Sequence, residues 1–527
     1  MPDLSRRAFL ALAATVVVAA CSDDDGAGPT ATTGSRDGST TTAGRSPSTS
    51  STTTSSTTTT TSPPTTAALA GDPFVLGVNA GDPDPTSVVL WTRLVSDGLP
   101  EAVDVTWETS TDGFATVASS GAVTATAADG HSVHAVVDLD DAVSYRFQSG
   151  GFTSPVGHAA PAVVGAAGLK VAAVSCQHFE TGYYAAHRDL AEWAPDAVVF
   201  LGDFIYEGAG RPIGGDVVRS HDGPEPTDVA GYRGRYAQYL ADDQLQAARA
   251  ACPWWVIWDD HEVENNYAGL VSQDGVDPAQ FAARRLAAYQ VWWEHMPVRI
   301  PKPHAGADTI IYRTGGYGDL LDLVLLDGRQ FRSDQACGDA TMSLEPACAE
   351  AAEPSRTMLG AVQETWTAEA LAASGATWTV LGQQTVLTDL HLSNGAVLNE
   401  DQWDGYAPAR DRVLAAAAPV AGKLVVLTGD IHLAGVGRLP GVGTEFVTTS
   451  VSSIGRVPAG LQPIIDGFAT IVDAELLHRG YVRHTVTPAA WTAEYRIVDA
   501  VASADSTVST WRTFTVPAAA STEVTAT

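Results

Sequence analysis

Five short apolar runs in this 527-residue chain each stop at residues able to bind a metal ion or move a proton. Val171 to Ser175 runs into Cys176, and Ala197 to Leu201 into Gly202-Asp203-Phe204-Ile205-Tyr206-Glu207. Trp254 to Trp258 runs into Asp259-Asp260-His261-Glu262, Leu321 to Leu326 into Asp327-Gly328-Arg329, and Leu424 to Leu427 into Thr428-Gly429-Asp430-Ile431-His432. Such runs read as buried strands, and open α/β sheets collect ligands just beyond the carboxyl ends of their strands. Oxygen, nitrogen and sulfur ligands far apart in sequence then converge on one point, which is how a chain builds a multinuclear metal site.

Asp203 follows a strand and a glycine that lets the backbone turn sharply, so its carboxylate is placed to bridge two cations and offset their repulsion. Cys176 offers a thiolate and Tyr206 a phenolate; together they favour a redox-capable transition metal over zinc or magnesium. Taken singly, Cys176 reads as a small buried residue and Tyr206 as a core aromatic. Asp430 and His432 can both point into the site if their segment is a loop. Arg329 can grip two non-bridging phosphate oxygens with its planar fork. Arg332 is a second candidate for that role, with a surface ion pair as the alternative. Trp403-Asp404-Gly405-Tyr406 fits a loop overhanging the pocket, with Trp403 and Tyr406 against the organic part of a substrate, or else simple loop packing. Asn265 and Asn266 either add a carbonyl oxygen to the metal or cap the following turn.

The elements that must position these residues follow from composition. A chain that is 45% hydrophobic can bury a large core and hold two folded domains. A formal net charge of -31 excludes a nucleic-acid-binding surface, which needs a basic groove. It does not exclude phosphate chemistry when metal cations supply the positive charge. Residues 1–21 read as a removable signal: Ser5-Arg6-Arg7-Ala8-Phe9-Leu10 has the twin-arginine form, and the apolar stretch Ala8 to Ala20 is too short to span a bilayer. Val18-Ala19-Ala20-Cys21 resembles a lipobox, which makes Cys21 the candidate for lipidation and outer-leaflet anchoring, after passage through the twin-arginine translocon. Residues 22–66 are a Ser/Thr-rich linker without the apolar residues needed to order itself.

Residues 67–165 change to short alternating runs such as Val88 to Leu94, Val103 to Glu108 and Ser132 to Val137, the pattern of a small β-sandwich of immunoglobulin or fibronectin type. Its histidines, His134 and His158, read as structural or surface residues. From Leu169 strands alternate with helical stretches, Tyr232 to Ala250 and Pro278 to Glu294, as in a layered α/β domain. The closing runs, Glu445 to Ser452 and Val482 to Val498, suggest a second sheet packed on the first. Five cysteines are too few for a disulfide scaffold, although Cys337 and Cys348, in a polar loop, suit a local disulfide.

With Ser175-Cys176-Gln177, Gly202 to Glu207, Trp258 to Tyr267, Leu326 to Arg332, Trp403 to Tyr406 and Gly429 to His432 in this order, the chain resembles the alkaline phosphatase D (PhoD-like) family of metallophosphoesterases, within the calcineurin-like superfamily. The resemblance spans about residues 70 to 515, with residues 166–515 as the metallophosphatase domain. It implies a four-layer α/β/β/α sandwich preceded by the β-sandwich, and a site holding Fe(3+) with Ca(2+). By the same match Asp260 is a metal ligand, and His261 steadies the phosphoryl group or protonates the leaving oxygen. Calcineurin-like enzymes carry Asn where Asp260 stands and His where Asp430 stands, so this chain leans toward oxygen ligands and a hard cation.

The expected function is a secreted or lipid-anchored alkaline phosphatase and phosphodiesterase, in which a metal-bound hydroxide attacks phosphorus in line. A phospholipase D-like phosphodiesterase on the same fold and a non-catalytic surface lipoprotein are the rival readings.

Overall fold

The computed structural model describes residues 69–165, 168–208, 217–339, 346–392, 394–455 and 461–526. The expected signal 1–21 with Cys21 and the expected linker 22–66 lie outside the described residues. The expected runs form strands. Leu169–Val174, Ala197–Phe200 and Pro253–Val256 lie side by side in parallel with Val78–Gly81, and antiparallel strands extend both edges into a ten-stranded sheet. The register Val198↔Ala172 and Val198↔Trp254 aligns their carboxyl ends. A seven-stranded sheet has its own parallel centre of Leu321–Leu325, Trp378–Gly382, Leu424–Thr428 and Gly443–Val447. Strands buried on both faces read as continuous Val, Leu and Ala runs, and these do.

The two sheets pack face to face, with Ala197, Val199 and Trp255 of the first against Leu323, Val380 and Leu427 of the second. On the opposite face of the first sheet, Phe200 stacks on Trp254, which meets His187 of helix Ala185–Trp193 and Arg249 of helix Asp243–Ala251. On the far face of the second, Val324, Leu326, Leu381 and Val426 share a core with Leu371 of helix Gly360–Ala373 and Val413 of helix Ala407–Ala416. The helical stretch read from Tyr232 to Ala250 is two helices, Val229–Leu240 and Asp243–Ala251. Asp242 divides them because its carboxylate accepts the Gln244 and Leu245 amides at 2.9 and 3.1 Å and so starts a new helix.

The closing strands do not form one sheet of their own. Gly443–Val447 joins the second sheet, whereas Arg479–Val486 and Ala490–Val498 form a hairpin on the edge of the first, beside Leu169–Val174. An antiparallel hairpin can cap a parallel edge after one tight turn, with no crossover.

The N-terminal segment contributes a five-stranded sheet built on Ala102–Ser110 and Val143–Ser149. That sheet shares a core with Val78, Val88, Leu90, Val133 and Val137 of the large sheet. Its other layer is therefore the end of the ten-stranded sheet, which Val78–Gly81 enters through the pairs Ala80↔Pro253 and Gly81↔Trp254. His134 is structural, stacked on Trp293 with Nε2 2.9 Å from the Met296 carbonyl.

Candidate metal centre and the histidine at its rim

Three strands of the first sheet and two of the second end on the same side of the molecule, and their loops are sewn together by buried polar side chains. Glu262 is fully buried and accepts the backbone amides of Asp203 at 3.0 Å, Phe204 at 2.6 Å and Asp259 at 2.8 Å, locking two loops of the first sheet. Gln384 does the same between sheets, donating to the Trp258 and Leu326 carbonyls and accepting the Gly328 amide at 3.0 Å. The approach is close enough to require glycine. At Gly202, with φ of 104°, a Cβ would sit 2.4 Å from the Asp259 Cβ; at Gly429 it would sit 2.7 Å from the Ser175 Oγ.

Cys176, Asp203, Asp430 and His432 all adopt left-handed φ, between 57° and 64°. This conformation costs an L residue roughly 1–2 kcal/mol and is tolerated where surrounding contacts over-determine it, most often at functional sites. It turns side chains from the strand ends inward. Ligand atoms of Cys176, Asp203 and His432 lie within 4.8 Å of one another, as do those of Asp203, Asp260 and His261, and those of Asp259, Asp260 and Asp430. Asp203 is shared by the first two groups and Asp260 by the last two. The Tyr206 hydroxyl donates to Asp203 at 2.9 Å, lies 3.0 Å from His432 Nε2 and accepts from the Ser453 hydroxyl at 2.8 Å.

Burial in company with like charges dominates the electrostatics. Burial, reinforced by Asp260 and Asp430, pushes the Asp203 carboxyl up to about 7 against the pull of His261. Burial likewise lifts Asp430 to about 6, although Arg329 opposes it. The Cys176 thiol and Tyr206 phenol are pushed up by burial and by Asp203. Burial lowers His432 to about 3, so its imidazole is neutral and able to act as a ligand. Asp259 Oδ2 and Asp260 Oδ1 are buried and accept no hydrogen bond from the described residues. Burial raises Asp203, Asp259 and Asp430, whereas at Asp260 burial is outweighed by Arg329 and His261, which keep it ionised. Crowded acids with unsatisfied oxygens are what a bound cation would relieve, so the residues present fit a metal centre.

His261 stands at the rim, its side chain 16% exposed. Its Nδ1 donates to Glu207 Oε2 at 2.7 Å, and Glu207 also accepts the Asn265 amide at 2.7 Å. Burial works against the imidazolium, yet Glu207, Asp203 and Asp260 together hold the ring protonated well above its ordinary range. With Nδ1 occupied, Nε2–H is the hydrogen that His261 can present.

Several expected residues serve otherwise. Arg329 has no fork free for phosphate. It is fully buried among carboxylates: Nε pairs with Asp259, Nη1 reaches both Asp401 oxygens at 2.9 Å, and Nη2 meets Asp430 at 2.8 Å and Asp260 at 3.4 Å. Arg332 is neither a surface pair nor a substrate contact; it is buried against Asp401 at 2.7 Å and the Tyr267 and Asn266 carbonyls. Trp403 and Tyr406 do not overhang a pocket. Both are buried in the second sheet's outer core, the indole N–H donating to Gln383 and the phenol to the Ser333 carbonyl, because an aromatic with one polar tip can be satisfied inside. Asn265 turns away, its amide donating to Gln273 at 2.5 Å, and it is Asn266 whose backbone amide bonds Asp260, at 2.6 Å. A separate grouping, Asp389, His391 and Asp404, is already neutralised by Arg410, which pairs with both acids.

Asp401 and Gln402 escaped the sequence reading, as did Glu207 in its role toward His261. The signal was present in Asn399-Glu400-Asp401-Gln402, a polar run just ahead of the aromatic pair. Gln402 Nε2 holds Asp430 Oδ2 at 2.6 Å.

A nest of buried acids, thiol and phenol beside a rim imidazole, at the strand ends of two packed sheets, suits the class of metal-dependent hydrolases. A family model described as PhoD-like phosphatase matches residues 171–495, and one described as its N-terminal domain matches residues 58–162. Alkaline phosphatase D of Bacillus subtilis (strain 168) is 38% identical over 474 residues, covering 84% of this chain and 80% of the relative. A solved structure titled "Structure of PhoD" aligns with a TM-score of 0.82 at 38% identity, over 87% of this chain and 92% of that one. The chain belongs to the PhoD-like phosphatase family, and thereby to the hydrolases of phosphoric esters.

Asp203→Asn, which keeps size and removes the shared charge, is expected to lower turnover at least about a thousandfold with unchanged circular dichroism; near-wild-type turnover would remove Asp203 from the centre. Glu207→Gln tests the histidine. A step using the His261 proton is available below its folded pKa and is lost as pH rises through it. Loss of the Glu207 charge lowers that pKa, so the alkaline limb of kcat/KM should move down by about one unit or more. An unmoved limb would show that His261 is not the group titrating there.

Proposed function

We propose that the chain hydrolyses phosphate mono- and diesters at this centre, working outside the cytoplasm. The observation that carries the reading is the convergence of Cys176, Asp203, Tyr206, Asp260, Asp430 and His432 in overlapping clusters that share Asp203 and Asp260, next to His261 on its Glu207 support. Cys176, Asp203, Tyr206 and His432 would hold a trivalent iron, since thiolate and phenolate are its natural partners; Asp203, Asp260 and Asp430 would hold calcium. Bound there, cations lower the pKa of water and neutralise charge on phosphoryl oxygens.

The chain's own residues do the rest. Asp203 joins the two halves of the centre. Glu207 holds the His261 ring so that Nε2–H points away from the carboxylate, in position to steady a phosphoryl oxygen or to protonate the leaving oxygen. Arg329 fixes Asp259, Asp260 and Asp430 in place and leaves phosphate binding to the cations and His261. The packing of helices on the outer faces of two stacked sheets supports reading the fold as the four-layer α/β/β/α sandwich.

The twin-arginine pattern around Arg6 and Arg7 and the lipobox-like Cys21 support export by the twin-arginine translocon and anchoring in the envelope. No described helix is long and apolar enough to cross a membrane.

Elemental analysis of the purified protein, with hydrolysis of a chromogenic phosphodiester before and after calcium chelation, tests the centre. About one iron per chain and calcium-dependent turnover is the expected result. Zinc alone would overturn the ligand assignment, and absence of both metal and turnover would overturn the function. Cys21→Ser should move the protein from the membrane fraction to the soluble one; unchanged fractionation would exclude lipid anchoring at this residue.

A further inference from the structure

We infer that the disulfide joining Cys337 and Cys348 is a positioning element for the centre, acting through Gln335 and Asp401. The inference rests on the site reading above. Asp401 is the acid most heavily used by the buried arginines: it takes Arg329 on both oxygens at 2.9 Å and Arg332 on Oδ1 at 2.7 Å. Its neighbour Gln402 holds Asp430. These two residues thus set where Arg329 and Asp430 stand, yet they sit on a loop, not on a strand.

The loop bonds largely to itself: Leu392 N–H to the Ala396 carbonyl at 2.9 Å, Asp401 N–H to Asn399 Oδ1 at 2.9 Å and Gln402 N–H to the Asn399 carbonyl at 3.3 Å. Besides these arginine and Asp430 contacts, and the Val386 amide on Gln402 Oε1 at 2.7 Å, it is held at two points from the segments that carry the disulfide. Gln335 Nε2 donates to Asp401 Oδ1 at 2.7 Å. Ala347 N–H donates to the Gly395 carbonyl at 3.2 Å, and Pro346 pairs with Ala396 in a β-bridge. Gln335 lies two residues before Cys337, and Pro346–Ala347 immediately precede Cys348. The disulfide therefore ties together the two segments that brace the loop. Gln335 itself is 5% exposed and also reaches the Asn266 carbonyl, at 3.4 Å, next to Asp260.

Reduction by a dithiol adds two electrons and two protons to the S–S bond, giving two thiols while the reductant becomes its cyclic disulfide. The braces then move independently, and Asp401, Arg329 and Asp430 lose a shared restraint. Full turnover belongs to the oxidised form, which is the form favoured outside the cytoplasm.

The test compares wild type, the Cys337→Ser/Cys348→Ser double variant, Gln335→Leu with its disulfide intact, and the triple combination. Each is assayed at a temperature where circular dichroism shows it folded. Read-outs are kcat on a chromogenic phosphodiester, metal content, and hydrogen exchange of the 394–403 peptide against the 169–174 strand. We expect an approximately tenfold fall in kcat for both the disulfide-free protein and Gln335→Leu, in the range for residues that support ligands from behind. The triple variant should fall no further than either parent, and exchange should quicken in 394–403 alone. Wild-type kcat and exchange in the disulfide-free protein would overturn the proposal, and so would fully additive losses. Should wild type itself not hydrolyse the diester, the proposed function fails, and exchange in 394–403 still decides the brace: quickened supports it, unchanged overturns it.

Discussion

Everything at this site depends on one buried cation among carboxylates. Arg329, without solvent exposure, meets Asp259, Asp401, Asp430 and Asp260, delivered by three separate loops, while Arg329 comes from a fourth. Burying ions costs several kcal/mol each after relaxation, and the arrangement persists only because each charge has a partner and further hydrogen bonds. Asp259 and Asp260 follow a strand of the first sheet, whereas Arg329 and Asp430 follow strands of the second. The ion cluster is therefore also the clasp that holds the two sheets together at their active end.

Around that clasp the backbone is held in conformations it would otherwise avoid. Four residues at left-handed φ, including Cys176 and Asp203, are kept there by Glu262, Gln384 and glycines that permit contact between loops. A hydroxyl-rich segment completes the frame, with Ser453 bonded to both the Cys176 carbonyl and the Tyr206 oxygen, and Ser452 to the His178 carbonyl. Rigidity here serves chemistry, because a centre that gathers cations must present its ligands before the cations arrive. The acids remain under-neutralised all the same: Asp203 and Asp430 are both lifted far above ordinary carboxylates by burial and mutual repulsion. The PhoD-like phosphatase fold thus carries at this point an electrostatic demand for cations that the buried Arg329 and Arg332 only partly meet.

Much of this was legible in sequence. Apolar runs ending in Asp, His and Cys locate strands and ligands together, since a buried parallel strand must be apolar and its end must not be. Cys176, Asp203, Asp260, Asp430 and His432 were all singled out that way, and the structure brings them together in overlapping clusters. Arg329, Trp403, Tyr406 and Asn265 have protein partners that the sequence did not show, because residue type says what a side chain can do but not which partner has already claimed it. The arginine fork suits a phosphate and four carboxylates equally well; an aromatic beside a loop suits a substrate or a core. Asp401 had no strand pattern to announce it, and Glu207, although it closes a strand-end motif, gave no sign of its partner His261.

The sequence by itself determined the strand runs, the family, the candidate ligand types and the order in which those residues arrive, because these rest on local periodicity and on chemistry that each residue carries alone. Tertiary structure decided the pairing of charges. Which acid meets Arg329, which one meets His261, and which loop the Cys337–Cys348 disulfide braces depend on contacts between residues scores of positions apart. Such contacts are set by the stacking of two sheets and not by any neighbour in the chain.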